Sequence, residues 1–232
     1  MTELVSIVVP TYNSERTIST CVSSVFAQEY KHWELHIVDN SSSDSTLKLL
    51  EPFSTDPRVY IHSIDNGGSI AKSRNLGISF SRGVWIAFLD SDDFWHPHKL
   101  LRCMTASDIS DFIYHSVSYI SDSLRILPLP RQYSIDTSPL LSLLLRGNPI
   151  VTSSVIVRHS TLVQIGLFDT SLALATAEDY SLWLSLAHGD SRFHFLPDKL
   201  AYYRYSTSSA SRRKVSIPIS LAQRPYLHVL SP

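Results

Sequence analysis

The sequence predicts an α/β fold with a mainly parallel central sheet flanked by helices. Three observations predict it. Apolar runs of strand length alternate with helix-patterned segments from residue 4 to about 100, the connections between them are short, and each strand is followed by a polar cluster. Leu4 to Val9 is the first strand, and Pro10 is expected to stop it. Over residues 15–28, Ile18, Cys21, Val22, Val25 and Phe26 recur at spacings of three and four, the stripe of an amphipathic helix. Trp33 to Val38 is the second strand, closed by Asp39. SSSDSTLKLL follows, with Ser and Asp placed to cap a helix before Leu47, Leu49 and Leu50. Val59 to Ile64 is a third strand. Asn66, Gly67 and Gly68 break the chain, and Ser69 opens a helix to about Phe80. Val84 to Leu89 is a continuous apolar run, the pattern of a strand buried on both faces of a parallel sheet.

The second half is less regular. Asp111 to Ile120 alternates weakly as a strand, and ILPLPRQY reads as a loop or edge. Pro139 to Arg146 is a short helix with proline in its first turn and Gly147 as its stop. Ser153 to Val157 reads as a strand, Ser160 to Ile165 as a helix, and Tyr180 to Ala187 as a helix with Leu182, Trp183, Leu186 and Ala187 inward. A last strand covers Lys199 to Tyr205, before a Ser-rich basic loop, STSSASRRK, and a tail.

Composition narrows the function classes. At 232 residues and 44% hydrophobic content the chain affords one large domain with a modest appendage. Lys and Arg number 20 against 21 Asp and Glu, a balance that gives no footprint for nucleic acid. Cys21 and Cys103 belong to no metal-binding or redox spacing, and Cys21 lies on an apolar helix face, so reduced buried thiols are expected. The amino terminus enters a strand pattern at once, without a leader, and no apolar stretch reaches the ~18 residues of a spanning helix. The expectation is a cytoplasmic protein, with peripheral membrane contact left open.

The chemistry concentrates in FLDSDDFWHP. Asp90, Asp92 and Asp93 stand just past the carboxyl end of a strand, where open α/β sheets keep their ligands. Carboxylates so close repel, and a hard divalent cation, Mg2+ or Mn2+, is the simplest compensation. The other strand ends carry Pro10-Thr11-Tyr12-Asn13, Asp39 to Asp44, and Asn66-Gly67-Gly68 with Arg74-Asn75. Together they would suit a nucleotide. Taken singly they are weaker: Asp44 reads as a helix cap, Asp39 as turn residue or ligand alike, and GxGxxG is absent. Glu178 and Asp179 open a helix, which suits its dipole without any function and equally suits a general base. Arg204, Arg212, Arg213 and Lys214 are the basic concentration, readable as a phosphate clamp or a solvated tail. Ten histidines form no HExxH pair.

In order, SIVVPTYNSERTISTCVSSVFAQEYKHWELHIVDNSSSDST, DNGGSIAKSRNLGISFSRGVWIAFLDSDDFWHPHKL, SSVIVRHSTLVQIGLFDTSLALATAEDYSLWLSLA and YYRYSTSSAS resemble the family 2 inverting glycosyltransferases of bacterial surface-polysaccharide synthesis. The likeness covers roughly residues 4 to 212. It implies the GT-A fold, a Rossmann-like nucleotide-diphospho-sugar transferase fold, as a single domain over 1–212. Residues 1–100 would be the nucleotide-sugar-binding half, 101–212 the acceptor-side half, and 213–232 a tail. It further implies that Pro10, Thr11 and Tyr12 line the nucleotide site, that Asp39 meets the uracil of a UDP-sugar, and that Arg74 and Asn75 lie below the donor. Asp90 and its neighbour Ser91 would meet the donor or the metal's water shell. Asp92, with Asp90, would hold Mn2+ or Mg2+, and Asp179, preceded by Glu178, would be the catalytic base. The implied partners are a nucleotide-sugar donor and a saccharide or lipid-linked saccharide acceptor of lipopolysaccharide, O-antigen or capsule.

Two departures qualify the resemblance. Asn40 and Ser41 replace an Asp and a Gly of the family's usual DDGSTD, and Ser206 stands where a histidine is common; Arg204 or the run from Arg212 to Lys214 would compensate for the latter. The tail, with Ile217, Ile219, Leu221 and Tyr226 among basic residues, reads as a membrane-docking segment or as plain packing. Two other classes remain. A sugar nucleotidyltransferase would need a Gly- and Arg/Lys-rich loop where PTYNSE stands, and a non-catalytic glycan-binding or scaffold protein on a decayed fold would have no reason to keep both acidic pairs.

Overall fold

The first four apolar runs become parallel strands in the computed structural model, which describes residues 3–128, 132–135, 138–205, 220 and 222–230. They are β1 (Val5–Thr11), β2 (Trp33–Asp39), β3 (Val59–Ser63) and β4 (Trp85–Phe88). β1 pairs with β2 on one side and β4 on the other, and β2 pairs with β3. Four later strands extend the same sheet: β5 (Phe94–Trp95), β6 (Phe112–Ile120), β7 (Ile156–Arg158) and β8 (Phe193–Arg204). The order is β3-β2-β1-β4-β7-β6-β8-β5. β6 and β8 are parallel, whereas β7 runs antiparallel to both β4 and β6, and β5 antiparallel to β8. Strand order reverses at β1, so a crevice opens beyond the carboxyl ends of β1 and β4.

Burial on both faces explains the unbroken apolar runs. Along β4, Trp85, Ala87 and Leu89 enter one core with Ile18, Cys21, Val22 and Val25 of α1 (Ile18–Phe26). Ile86 and Phe88 enter the opposite core with Ile78 of α3 (Ile70–Phe80), Leu143 of α5 (Pro139–Arg146) and Trp183 of α7 (Glu178–His188). Each strand residue therefore buries apolar area whichever way it points, a gain of ~25 cal/mol per Å2 on either face. Both cysteines are buried free thiols.

Several expectations are corrected. Pro10 lies inside β1, paired with Val38, because its missing N–H falls on the β4 side, where pairing ends at Val8–Phe88, so the β1–β2 ladder loses nothing. Ser153 lies not in a strand but in a 3-10 turn, Thr152–Ser154, and β7 starts only at Ile156. β8 begins at Phe193, six residues before the expected Lys199, because its amino end pairs with Phe112 to His115 before a bulge. β5, α2 (Thr46–Leu50), α4 (Lys99–Met104) and α6 (His159–Ile165) complete the elements; the sequence pattern gives no sign of β5 or α4. The described part of the tail packs: Ala222 is buried in the α5–α7 core, and the Tyr226 hydroxyl lies 2.8 Å from Ser185 Oγ. Ile217, Ile219 and Leu221 lie outside the described residues.

The turn into β4 depends on one missing side chain. Gly83 donates its N–H to Ser6 Oγ at 2.8 Å, and Ser6 Oγ donates to Glu34 Oε1 at 2.6 Å. A Cβ on Gly83 would lie 2.6 Å from Ser6 N and 2.8 Å from Leu4 O, both backbone atoms. Gly83→Ala is therefore expected to cost ~1–3 kcal/mol. The loss should appear as a lower denaturant midpoint with an unchanged slope, and an unmoved midpoint would show that this junction yields.

Candidate active site

Four loops meet beyond the carboxyl ends of β1, β2 and β4, and side-chain hydrogen bonds hold them together. Asn13 N donates to Ser42 Oγ at 2.9 Å, and Ser43 N donates to Asn13 Oδ1 at 2.9 Å. Ser14 Oγ lies 2.8 Å from Ser91 Oγ, which joins the loop after β1 to the acidic cluster after β4. Asn66 N donates to Asn40 Oδ1 at 2.9 Å, so the Asn that departs from the family pattern ties the loops after β2 and β3. Gly67 and Gly68 take φ +62° and +84°, which suits the turn they form. Asp44 stands one residue before the N-cap Ser45 of α2 and accepts from Thr46 N, the first N–H of the helix, at 2.9 Å.

The three clustered carboxylates have three different fates. Asp93 is buried and structural: Oδ2 accepts from Ser153 Oγ at 2.5 Å and Oδ1 from Arg204 N at 2.8 Å, binding β8 and the 152–154 turn to the cluster. Asp90 is partly exposed, with one oxygen 2.8 Å from Arg74 and its N–H donating to Ser153 Oγ at 3.1 Å. Asp92 reaches the surface of the cleft mouth and forms no ion pair among the described residues. Crowding by protein atoms, and next the Asp90 charge, push its carboxyl up to about 6. Arg204 stands beside it, donating from Nε to the Asp92 carbonyl at 3.1 Å.

Arg74 joins this cluster to the acids at the start of α7. Its guanidinium lies 2.8 Å from Asp90 Oδ1 and 2.8 Å from Glu178 Oε1, with only 3% of the side chain exposed. Burial opposes its charge, but Asp90 and Glu178 more than reverse this and hold it firmly cationic. Glu178 is buried with Arg74, while its neighbour Asp179 stays half-buried at the first turn of α7. Asp179 Oδ2 accepts from Thr152 Oγ1 at 3.0 Å, and Oδ1 accepts from Tyr180 N at 2.6 Å. Withdrawal from water, then the Glu178 charge, push the Asp179 carboxyl up to about 6, in the range suited to a base near neutral pH. Thr176, two residues before the pair, holds φ +74°, a costly conformation for a β-branched residue.

The structure thus brings Asp90, Ser91, Asp92, Arg74, Glu178 and Asp179 together, with Thr11 and Tyr12 on the adjoining loop. Thr11 is buried with its hydroxyl unpaired among the described residues, and Tyr12 is exposed. Four residues expected at or below the donor lie within the sheet or are bonded to protein partners. Pro10 is a buried strand residue. Asp39 is fully buried with its oxygens accepting from Ser42 N at 2.9 Å and Ser42 Oγ at 2.5 Å, the turn reading of this residue. Asn75 turns away from the cleft, because its amide exchanges hydrogen bonds with Phe168, donating to O at 2.8 Å and accepting from N at 3.0 Å. Arg74 lies beneath the site, its charge spent on two carboxylates. Arg212 and Ser206 lie outside the described residues. Thr152 and Ser153 were missed; the signal for them is the TSS run inside an otherwise apolar stretch.

A divalent cation fits this donor set in a limited way. Asp90 and Asp92 offer hard oxygen ligands, and Asp92 makes no ion pair among the described residues, with Arg204 as its nearest described cation. Among the described residues no group of three His, Cys, Asp or Glu could enclose a metal alone. A pair of carboxylates suits an ion such as Mg2+ or Mn2+ that keeps water and substrate phosphate in its shell. No helix among the described residues is long and apolar enough to cross a membrane.

Known proteins share both sequence and fold with this chain. It is 35% identical over 219 residues to the Escherichia coli UDP-Glc:alpha-D-GlcNAc-diphosphoundecaprenol beta-1,3-glucosyltransferase WfgD, covering 91% of this chain and 81% of that relative. Among solved structures, TarS 1-349 of S. aureus in complex with UDP-GlcNAc superposes with a TM-score of 0.74 at 22% identity, over 89% of this chain and 60% of that one. The mannosyltransferase PcManGT of Pyrobaculum calidifontis, in complex with GDP-Man and Mn2+, superposes with a TM-score of 0.65 at 16% identity, over 92% of this chain and 58% of that one. The chain therefore spans less than two thirds of either solved protein while sharing its GT-A fold. The family model described as Glycosyl transferase family 2 matches residues 6–162, from the first strand through the acidic cluster and the 152–154 turn, and the chain belongs to that family of transferases.

Proposed function

We propose that this chain is a metal-dependent, inverting glycosyltransferase that moves a sugar from a UDP-linked donor to a hydroxyl of a lipid-linked saccharide in bacterial surface-glycan synthesis. One observation carries the reading: Asp90 and Asp92, at the end of β4, share a cleft with Asp179, and both Arg74 and the 152–154 turn bind the two groups of acids together. The donor class and the lipid-linked acceptor are supported by the activity of WfgD, whose sequence this chain follows over most of its length.

Asp90 and Asp92 would hold Mn2+ or Mg2+ against the donor diphosphate, and the bound cation supplies Lewis-acid stabilisation of the charge gained by the leaving group. Asp179 acts on the other reactant. Its carboxylate takes the proton of the acceptor hydroxyl as the oxygen bonds to the anomeric carbon, while the bond from that carbon to the diphosphate breaks and its electron pair leaves with UDP. Attack from the side opposite the leaving group inverts the configuration. Thr152 and the Tyr180 N–H hold the Asp179 oxygens in place for the transfer. Such an enzyme works at the cytoplasmic membrane face, where peripheral contact would bring it to a lipid-linked acceptor.

Calorimetric titration of the protein with UDP, GDP, dTDP and CMP, each with and without Mn2+, tests the donor site. UDP is expected to bind with Mn2+ and to bind at least tenfold more weakly without it, and Asp92→Asn is expected to abolish that difference. Binding of no nucleotide in the presence of metal would sink the reading.

A further inference from the structure

We propose that Arg74 is a positioning residue that sets the span between the donor-side carboxylates and the Glu178–Asp179 pair, so that turnover rather than donor binding depends on it. The inference rests on the transferase reading above and assigns Arg74 a role other than touching the donor. Its two partners come from opposite halves of the chain: Asp90 follows β4 and Glu178 begins α7, and one planar guanidinium bonds both at 2.8 Å. The side chain is 3% exposed and lies over the Phe168 ring with its carbon 5.3 Å from the centroid, so little of it faces a ligand. The next residue reinforces the span, since the Asn75 amide clamps the backbone of Phe168 through two hydrogen bonds. α3 is thereby fastened at one end of the cleft to Asp90 and at the other to the segment that leads into Asp179.

Geometry explains why this group and not a lysine. A guanidinium presents donors in a rigid fork and can hold two carboxylates at a fixed separation, whereas an ammonium is a point charge on a flexible stem. In-line transfer needs the base and the leaving-group site held to within about an ångström, and a displacement of that size costs ~10²-fold in rate. Loss of the strut lets Asp179 drift relative to Asp92, whose own neighbour Arg204 is untouched by the change.

The test compares wild type, Arg74→Lys, Glu178→Gln and the double variant. UDP binding with Mn2+ is measured by calorimetry. Turnover is measured as UDP release, in the presence of a GlcNAc-diphospholipid acceptor, from whichever of UDP-glucose, UDP-galactose and UDP-GlcNAc wild type uses fastest. Each single variant is expected to bind UDP within about threefold of wild type while UDP release falls ~10- to 100-fold, and the double variant is expected to be no slower than the slower single one. UDP affinity that falls as far as turnover would make Arg74 a donor ligand and overturn the proposal. Turnover unchanged in Arg74→Lys, or losses that multiply in the double variant, would overturn it equally. Should Arg74→Lys fail to fold, Glu178→Gln decides by the same split between affinity and turnover. Failure of wild type to bind UDP or release it overturns the transferase reading itself, a result visible before any variant is made.

Discussion

Asp179→Asn is expected to lower turnover by ~10²–10⁴-fold with UDP affinity unchanged, the usual range for loss of a positioned base. The substitution is nearly isosteric: an amide oxygen can still accept from Thr152 Oγ1 or Tyr180 N, so the first turn of α7 should keep its shape. What it loses is the ability to take a proton. Burial and Glu178 raise the wild-type carboxyl to about 6, so this base is ionised above that pH and protonated below it. Wild-type kcat/KM should therefore rise with pH through about 6 and level off beyond it, and the variant should lack that limb. A variant that keeps more than a tenth of wild-type turnover would move the base assignment to another group. Glu178, committed to Arg74 at 2.8 Å, is the poorer candidate for that role.

The second large effect concerns stability and lies away from the cleft. Lys99, in the first turn of α4, is fully buried; its Nζ has no hydrogen-bond partner among the described residues and sits 3.6 Å from the centroid of the Trp95 ring. Burial lowers it from 10.5 to about 7, with Cys103 opposing the shift. His115 of β6 faces the same region and is held neutral by burial and by Lys99, at about 3. Because the folded pKa of Lys99 is depressed, the unfolded chain binds more protons between about 7 and 10.5. Stability is therefore gained as pH rises through that window, and the cost is greatest below it. Cys103, raised from 9.0 to about 11, acts in the opposite sense above 9, so pH 7 to 9 is the interval in which Lys99 dominates. Lys99→Met keeps the length of the stem and removes the charge. It is expected to gain on the order of 2 kcal/mol at pH 7, after losing ~1 kcal/mol of attraction to Trp95, and to flatten the rise from pH 7 to 9. Urea unfolding across that range reads both effects. A less stable variant at pH 7 would mean that the ammonium is well solvated where it lies.

The first half of the fold was legible because its physics is local. β1, β2 and β4 are buried along their whole length, β4 as an unbroken apolar run, and Ile18 to Phe26 carry a helical stripe that enters the same core as β1 and β4. β7 was legible only in part, since the strand read over Ser153 to Val157 holds at Ile156 and Val157 alone, and its bounds are set by β4 and β6 on either side. The acidic cluster announced itself by composition, but no spacing reveals that Asp93 is buried under Ser153 while Asp92 faces out. The same holds for Arg74 and Asn75. Their positions in the sequence suggest a donor contact, yet the partners that occupy them, Glu178 and Phe168, arrive about a hundred residues later. Asp39 was readable both ways, and the groups that meet its two oxygens are the N–H and hydroxyl of Ser42, three residues on.

The position of β4 between β1 and β7 also bears on how the chain is made. During synthesis β1 to β4 leave the ribosome first, and β4 then presents an open edge with no antiparallel neighbour until Ile156–Arg158 emerge. Over the same interval Asp93 lacks Ser153 and Arg204, and Asp90 has Arg74 but not the Glu178 end of the strut. A nascent chain of which only the first 100 or so residues have emerged thus carries both an open strand edge and an unbalanced acidic loop, two features that favour opposite responses, association and repulsion. The cleft acids that would serve catalysis in the finished protein can in this way keep the half-made sheet from pairing with its neighbours on a polysome.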